Sequence, residues 1–187
     1  MKFLRAMIAA ASALFFIASD VTGANLCQYD PPLTEGGYSP SFILGGEVLT
    51  PKVFDETALH QYESTKLAVV YGAGSGIESG SFVGVLLWDL INEAGVVVDP
   101  ARRNDRLRKY VVISGSDGYQ AVLALGEIIP DFGGQHVIVA YERDGQPLGA
   151  DQGVARLVVP GDKRGGRHVN RITHIAVCDS PPDRKNR

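Results

Sequence analysis

The stretch Lys109-Tyr110-Val111-Val112-Ile113-Ser114-Gly115-Ser116-Asp117-Gly118-Tyr119-Gln120-Ala121-Val122-Leu123-Ala124-Leu125 decides the fold class. Two short apolar runs, Lys109 to Ser114 and Tyr119 to Leu125, flank a turn with Asp-Gly at its tip. That is a β-hairpin signal. The same texture continues downstream. Val137 to Glu142, Ala155 to Val159 and His168 to Val177 read as strands, and Asp144-Gly145 is a second tight turn. Gly126 to Ile129 can make one helical turn before Pro130.

Upstream the pattern is mixed. Ser41 to Val48 reads as a strand ending near Pro51, and Lys66 to Tyr71 as another. Asp55 can cap a short helix over Glu56 to Tyr62. Over Val85 to Ala94, the residues Leu86, Leu87, Leu90, Ile91 and Ala94 recur at helical spacing, and Gly95 is a natural stop. Trp88 reads as a packing residue of that helix. The Gly- and Ser-rich run from Gly72 to Ser81 reads as a loop, and Gly72 to Gly76 within it as a flexible strand-to-helix connection. Strands dominate and no regular βαβ alternation appears. The expected fold is α+β, a strand-rich mixed sheet rather than a doubly wound one.

The 187 residues divide unevenly. Lys2 and Arg5 precede an apolar run from Ala6 to Ala18, and Thr22-Gly23-Ala24 suits cleavage. Residues 1–24 therefore read as a secretory signal peptide, too short for a membrane span. Residues 25–40, rich in Pro and Gly, read as an irregular lead-in. Residues 41–178 form the domain, and 179–187 a charged, disordered tail. The expected location is the periplasm or the exterior. Cleavage leaves 16 basic and 20 acidic residues, a net charge of −4, which gives no pull toward nucleic acid or anionic lipid. Cys27 and Cys178 lie at opposite ends of the mature chain in an oxidising setting, and they are expected to pair. Closing so long a loop stabilises by about 5 kcal/mol on a chain-entropy argument.

Candidate chemistry is sparse. Gly72-Ala73-Gly74-Ser75-Gly76 fits neither the dinucleotide nor the Walker glycine pattern, nor the hydrolase elbow. His60, His136, His168 and His174 have no zinc spacing, so no protein-built metal site is expected. His168 and His174 share parity on the expected strand, about 20 Å apart at strand rise. No spacing selects a catalytic triad. The strongest local feature is Pro160-Gly161-Asp162-Lys163-Arg164-Gly165-Gly166-Arg167-His168. Glycine lets backbone N–H groups approach an anion, and arginine forks grip phosphate or carboxylate. This segment reads either as a pocket for a small phosphorylated or carboxylated ligand or as a solvated basic hairpin. Arg156 and Arg171 add to its field.

Several stretches resemble, in order, the sulfite-oxidase-like molybdopterin-binding domain family. Gly46 to Pro51 resembles its opening "G-x-V-x-x-P". Phe82 to Leu90 resembles "tGvpLwdLl", and Gly115 to Tyr119 its "DGY" hairpin. Ala140 to Leu148 resembles "AyemnGepLp", and Arg156 to Gly161 "lRlvvPG". The match spans residues 42–177.

The resemblance implies a pterin cofactor beside the basic segment. It implies that Arg156 and the stretch Arg167-His168-Val169 hold the pterin and its phosphate. Asn170 stands where the family commonly has lysine, and Gln152 lies near the place of a family histidine. Lys163 and Arg164 complete the candidate set. The family's "C-A-G-N" supplies a thiolate to molybdenum, and the corresponding run here is Gly72-Ala73-Gly74-Ser75, without sulfur. The n-region also lacks the arginine pair of exporters that load this cofactor before translocation.

Two functions follow. The first is an exported module binding a small anionic, pterin- or phosphate-bearing ligand without molybdenum redox chemistry. The second is an active molybdopterin-dependent oxidoreductase with an unusual ligand set and an unnamed redox partner. A purely structural domain is the third reading.

Overall fold

The computed structural model describes residues 23–180. The signal peptide and the tail fall outside those residues, apart from Gly23 and Ala24 at one edge and Asp179 and Ser180 at the other. The lead-in is less irregular than expected at its start, where Gly23–Gln28 forms a 3₁₀ turn.

Two five-stranded sheets make the domain. Strands β1 (Ser41–Gly46), β2 (Lys52–Asp55), β5 (Lys109–Gly115), β6 (Gln120–Ala124) and β10 (Ile172–Asp179) form the first, in the order β2-β1-β10-β5-β6. It is mixed, because β1 runs parallel to β10 while the other pairs are antiparallel. Strands β3 (Thr65–Ala73), β4 (Gly76–Leu86), β7 (Ile138–Arg143) and β8 (Gln146–Pro147) form the second in that order, with β9 (Arg156–Val158) also paired to β7. Short helices α1 (Glu56–Leu59), α2 (Leu87–Ala94) and α3 (Leu125–Ile128) intervene. The α+β, mixed-sheet expectation holds.

Local chemistry explains the element ends. Asp55 caps α1, its side chain accepting from the Ala58 N–H at 2.8 Å. Gly95 closes α2 with φ of 74°. Asp144 and Gly145, at φ of 53° and 80°, turn β7 into β8 as their sequence implied. The main core lies between α2 and the sheets and takes Leu87, Leu90 and Ile91 from the helix. Strand alternation gives the second sheet a further apolar face. Val69, Tyr71, Phe82, Ile138, Ala140 and Val158 cluster there, while Val139 and Leu157 face the main core.

Three expectations are corrected. The run Gly72 to Ser81 is a β-hairpin, and neither a loop nor a strand-to-helix connection. Thr65 to Ala73 pairs residue by residue with Gly76 to Gly84 around Gly74-Ser75. Small residues suffice because this end of the hairpin faces solvent, and the ladder satisfies its backbone groups. Helix α2 begins at Leu87 and not Val85, because Val85 and Leu86 pair with Val139 and Ile138. Gly84 permits that contact, since a Cβ there would lie 2.3 Å from the Val139 carbonyl oxygen. The last strand begins at Ile172 and not His168. Gly165–Arg167 is a 3₁₀ turn, and Arg171 takes a left-handed φ of 51° that breaks the extended run. His168 and His174 therefore share no strand.

Cys27 and Cys178 form a disulfide, joining the 3₁₀ turn to β10. The lead-in then runs along the β5–β6 hairpin. The Thr34 N–H donates to the Asp117 carbonyl at 2.8 Å, and the Gly37 N–H donates to Ser116 Oγ at 3.1 Å. Among the described residues no helix is long and apolar enough to cross a membrane.

Candidate functional site

Three chain segments meet at one open cleft of about 610 Å³. Strand β9 supplies Arg156, the β3–β4 hairpin supplies Tyr71, Gly72 and Glu78, and the basic segment supplies Arg164, Gly165, Gly166 and His168. The backbone fixes their meeting. The Gly72 N–H donates to the Lys163 carbonyl at 2.9 Å, and Gly72 and Arg164 form a parallel bridge. The basic segment is thus stitched to the edge of the second sheet.

Arg156 is the centre of the site. Alternation on β9 turns it toward the face that holds Tyr71 and Phe82. It is only 6% exposed. One terminal nitrogen donates to Gln152 Oε1 at 3.0 Å, and the other to the Tyr71 hydroxyl at 2.8 Å. Its Nε has no partner among the described residues. The guanidinium lies 5.1 Å from the centre of the Phe82 ring. All of these partners are neutral. Among the described residues no carboxylate forms an ion pair with Arg156, so this buried positive charge lacks a direct counterion there. Such an arrangement is costly in the empty protein.

Tyr71 links this charge to an acid. Its hydroxyl accepts from Arg156 and donates to Glu78 Oε2 at 3.0 Å. The hydrogen bond from Tyr71, helped by Ser75, holds the Glu78 carboxyl below its ordinary range. Tyr71 and Glu78 stand directly opposite in the β3–β4 register, which is why they meet.

His168 is 8% exposed and packs edge-on against Tyr71, with ring centres 4.4 Å apart. Burial pushes its pKa down, so the ring is neutral near pH 7. Its Nε2 lies 3.2 Å from the Val159 carbonyl and so carries the proton, donating to that oxygen. Nδ1 is then an acceptor 3.5 Å from Arg156. His168 orients Arg156 and adds no charge.

The remaining candidates separate. Asn170 lines the cleft, with a buried Oδ1 that has no partner among the described residues. Arg164 lines it with an exposed side chain. Lys163 is exposed and contributes its carbonyl to the stitch, and its side chain is not among those lining the cleft. Arg167 also lies outside. It makes a two-pronged pair with Asp162 at 2.9 and 2.6 Å and reaches Glu127 at 3.2 Å. That hydrogen bonding lowers the Asp162 pKa and raises that of Arg167. Arg167 thus fastens the basic segment to α3. Tyr71, Glu78 and Arg143 were not anticipated from the sequence. Arg143 enters from β7, its guanidinium 5.4 Å from the Phe82 ring centre.

A metal held by protein sulfur does not fit this cleft. Both cysteines are consumed in the disulfide between the 3₁₀ turn and β10, and neither lines the site. An anionic organic group does fit. Arg156 and Arg164 supply charge, and a Cβ at Gly166 or Gly74 would meet only open space.

Known proteins share this arrangement of strands. Residues 45–185 match the oxidoreductase molybdopterin-binding domain family. The mitochondrial sulfite oxidase of Drosophila melanogaster is 29% identical over 172 residues, covering 83% of this chain and 28% of that protein. The crystal structure of the sulfane dehydrogenase SoxCD from Paracoccus pantotrophus superposes with a TM-score of 0.61 at 23% identity, covering 80% of this chain and 40% of the other. The chain thus spans well under half the length of either.

Proposed function

This chain belongs to the oxidoreductase molybdopterin-binding domain family, and on that premise we propose that it is an exported protein whose cleft binds a small anionic ligand without molybdenum redox chemistry. The ligand class is pterin- or phosphate-bearing. Function is read from the site and not from the fold. The observation that carries the reading is Arg156, a buried guanidinium that contacts only neutral partners. An anion in the cleft offsets that charge. The donor set supports the second half of the proposal, because by resemblance Gly72 stands where the family has its thiolate, and both cysteines are paired. Molybdopterin is the cofactor that the family implies. Arg156 and Arg164 are the residues that would hold its phosphate, and the group supplies redox chemistry in relatives that anchor its metal.

The alternative is an active molybdopterin-dependent oxidoreductase. The extent of the family match, residues 45–185, favours it.

One preparation tests both. The protein is purified from its native compartment, molybdenum is measured by elemental analysis, and pterin by the fluorescence of its oxidised form. The expected result is no stoichiometric molybdenum. Thermal unfolding is then followed with pyrophosphate, nucleotides and pterin phosphates, using wild type and Arg156→Gln. A ligand at a hundred times its dissociation constant stabilises wild type by about 2.7 kcal/mol. Arg156→Gln should lose that gain. Stoichiometric metal would overturn the non-redox proposal, and an equal shift in both proteins would overturn the assigned site.

A further inference from the structure

A second surface shares no residue with the cleft. Between α2 and β5 the chain carries Arg102, Arg103, Arg106, Arg108 and Lys109 within eight residues, in a protein whose net charge is −3. The loop is held in shape from within. Asp105 is buried, accepts from the Asp99 N–H at 2.9 Å and pairs with Lys109 at 3.8 Å. The Arg102 and Ala101 N–H groups bond back to Asp99, and Asn104 takes a left-handed φ of 56°. The acids are therefore spent inside the loop, and three arginines point outward. Arg102 pairs with Asp99 at 3.1 Å, both about half exposed, and no carboxylate among the described residues pairs with Arg103 or Arg106.

Arg102 and Arg106 line an apolar groove of about 320 Å³, and Arg103 is exposed beside them in the same loop. Val98, Leu107 and Phe132 line it at 40%, 41% and 53% exposure. Exposed apolar side chains gathered around a concavity mark interaction sites more often than singly scattered ones. Aromatic and arginine side chains together are the residue types enriched at binding hot spots.

We propose that this groove docks a partner protein through an apolar side chain flanked by carboxylates. The concavity favours an inserted side chain over a flat lipid surface, and the apolar floor has no use for a phosphate backbone. Arg106 at the groove and Arg103 beside it, neither paired with a carboxylate among the described residues, select acidic flanks and steer the encounter. The preformed loop lowers the ordering cost of binding.

The probe is a fluorescein-labelled peptide, Glu-Glu-Asp-Leu-Phe-Asp-Glu-Glu, followed by fluorescence anisotropy. A Lys-flanked peptide and one with Ser-Ser in place of Leu-Phe are the controls. The acidic peptide should bind, with affinity falling on going from about 50 to about 300 mM salt as the charges are screened. The double variant Arg103→Glu, Arg106→Glu should weaken it at least about ten-fold. Phe132→Ser, tested because the apolar contact is independent of charge, should weaken it about five-fold. All variants change exposed side chains, and unaltered circular dichroism melts verify that they fold. The proposal fails if the acidic peptide does not bind, if either control binds as well, or if the variants leave binding unchanged. It also fails if anionic vesicles or a single-stranded oligonucleotide bind in the peptide's place. It fails too if the protein sediments as a dimer that the double variant dissociates, because the occupant is then a second copy.

Discussion

The Arg156 guanidinium donates to the Tyr71 hydroxyl at 2.8 Å, and these two residues lie 85 positions apart in the sequence. The bond joins the last short strand of the second sheet to its first hairpin. It also places a buried cation one hydroxyl away from Glu78. The position of the cation in the cleft depends on it.

Tyr71→Phe keeps the ring against His168 but removes both hydrogen bonds. Arg156 then loses an acceptor while still buried. A cost of about 1–3 kcal/mol is expected, measured by urea denaturation. Anion affinity should change in the same variant, because Arg156 is less well held.

Arg156 and Arg167 should behave oppositely. Arg167 is engaged with Asp162 and Glu127 outside the cleft. Arg167→Ala should lower stability by about 1 kcal/mol, a partly exposed pair being worth little, and leave ligand-induced thermal shifts intact. Arg156→Gln should abolish those shifts. Removing a buried charge without a counterion should leave the empty protein's melting temperature nearly unchanged.

Acid should weaken the fold through two histidines. Burial depresses the pKa of both His168 and His174 below the ordinary histidine value of about 6.5. The unfolded chain then binds protons before the folded one does, so stability rises with pH across the window. The contribution is complete above the unfolded value. It is lost as pH falls through 6.5 toward the depressed folded values. Melting temperatures between about pH 7 and 5 should fall with acidification. The slope should be shallower in His168→Gln and in His174→Gln.

Reduction should loosen the domain's rim. The disulfide joins Cys27 to Cys178, 151 residues apart. Cys27→Ser with Cys178→Ser should cost about 2–5 kcal/mol. Hydrogen exchange should rise first at Thr34 and Gly37, whose N–H groups bond to the β5–β6 hairpin.

Two glycines of neighbouring strands should differ sharply in tolerance. An added Cβ at Gly72 would sit 3.5 Å from the Lys163 carbonyl oxygen, an ordinary contact. Gly72→Cys should fold with a loss under about 1 kcal/mol, and it would restore a thiol at the cleft. Gly84→Ala drives a Cβ to 2.3 Å from the Val139 carbonyl oxygen. It should cost about 1–3 kcal/mol or more. Chemical denaturation of both variants checks the contrast.

Much of the fold was legible from local chemistry. Asp117-Gly118 and Asp144-Gly145 announced their hairpins, Asp55 its cap, and Gly95 the end of α2, because each depends only on backbone preferences of a few residues. The Gly74-Ser75 turn is equally local. Reading it as a two-residue hairpin turn sets Ala73 against Gly76, and so sets Tyr71 against Glu78. That signal was available. The inward start of α2 was not, since an apolar Val85-Leu86 suits a buried helix or a buried strand alike, and only pairing with β7 decides.

By itself, the sequence determined the strand-rich class and the basic glycine segment, since periodicity, turn residues and clustered charge are properties of neighbours along the chain, while Arg156 entered only through what the family resemblance implies. Only the tertiary structure decided which cations face the cleft. Arg167 turned to Asp162 and Glu127, while Arg156 was left buried among Tyr71, Gln152 and His168. The physical reason is that a side chain's charge becomes a binding site only when the packed elements around it withhold a counterion, and no run of adjacent residues encodes that by itself.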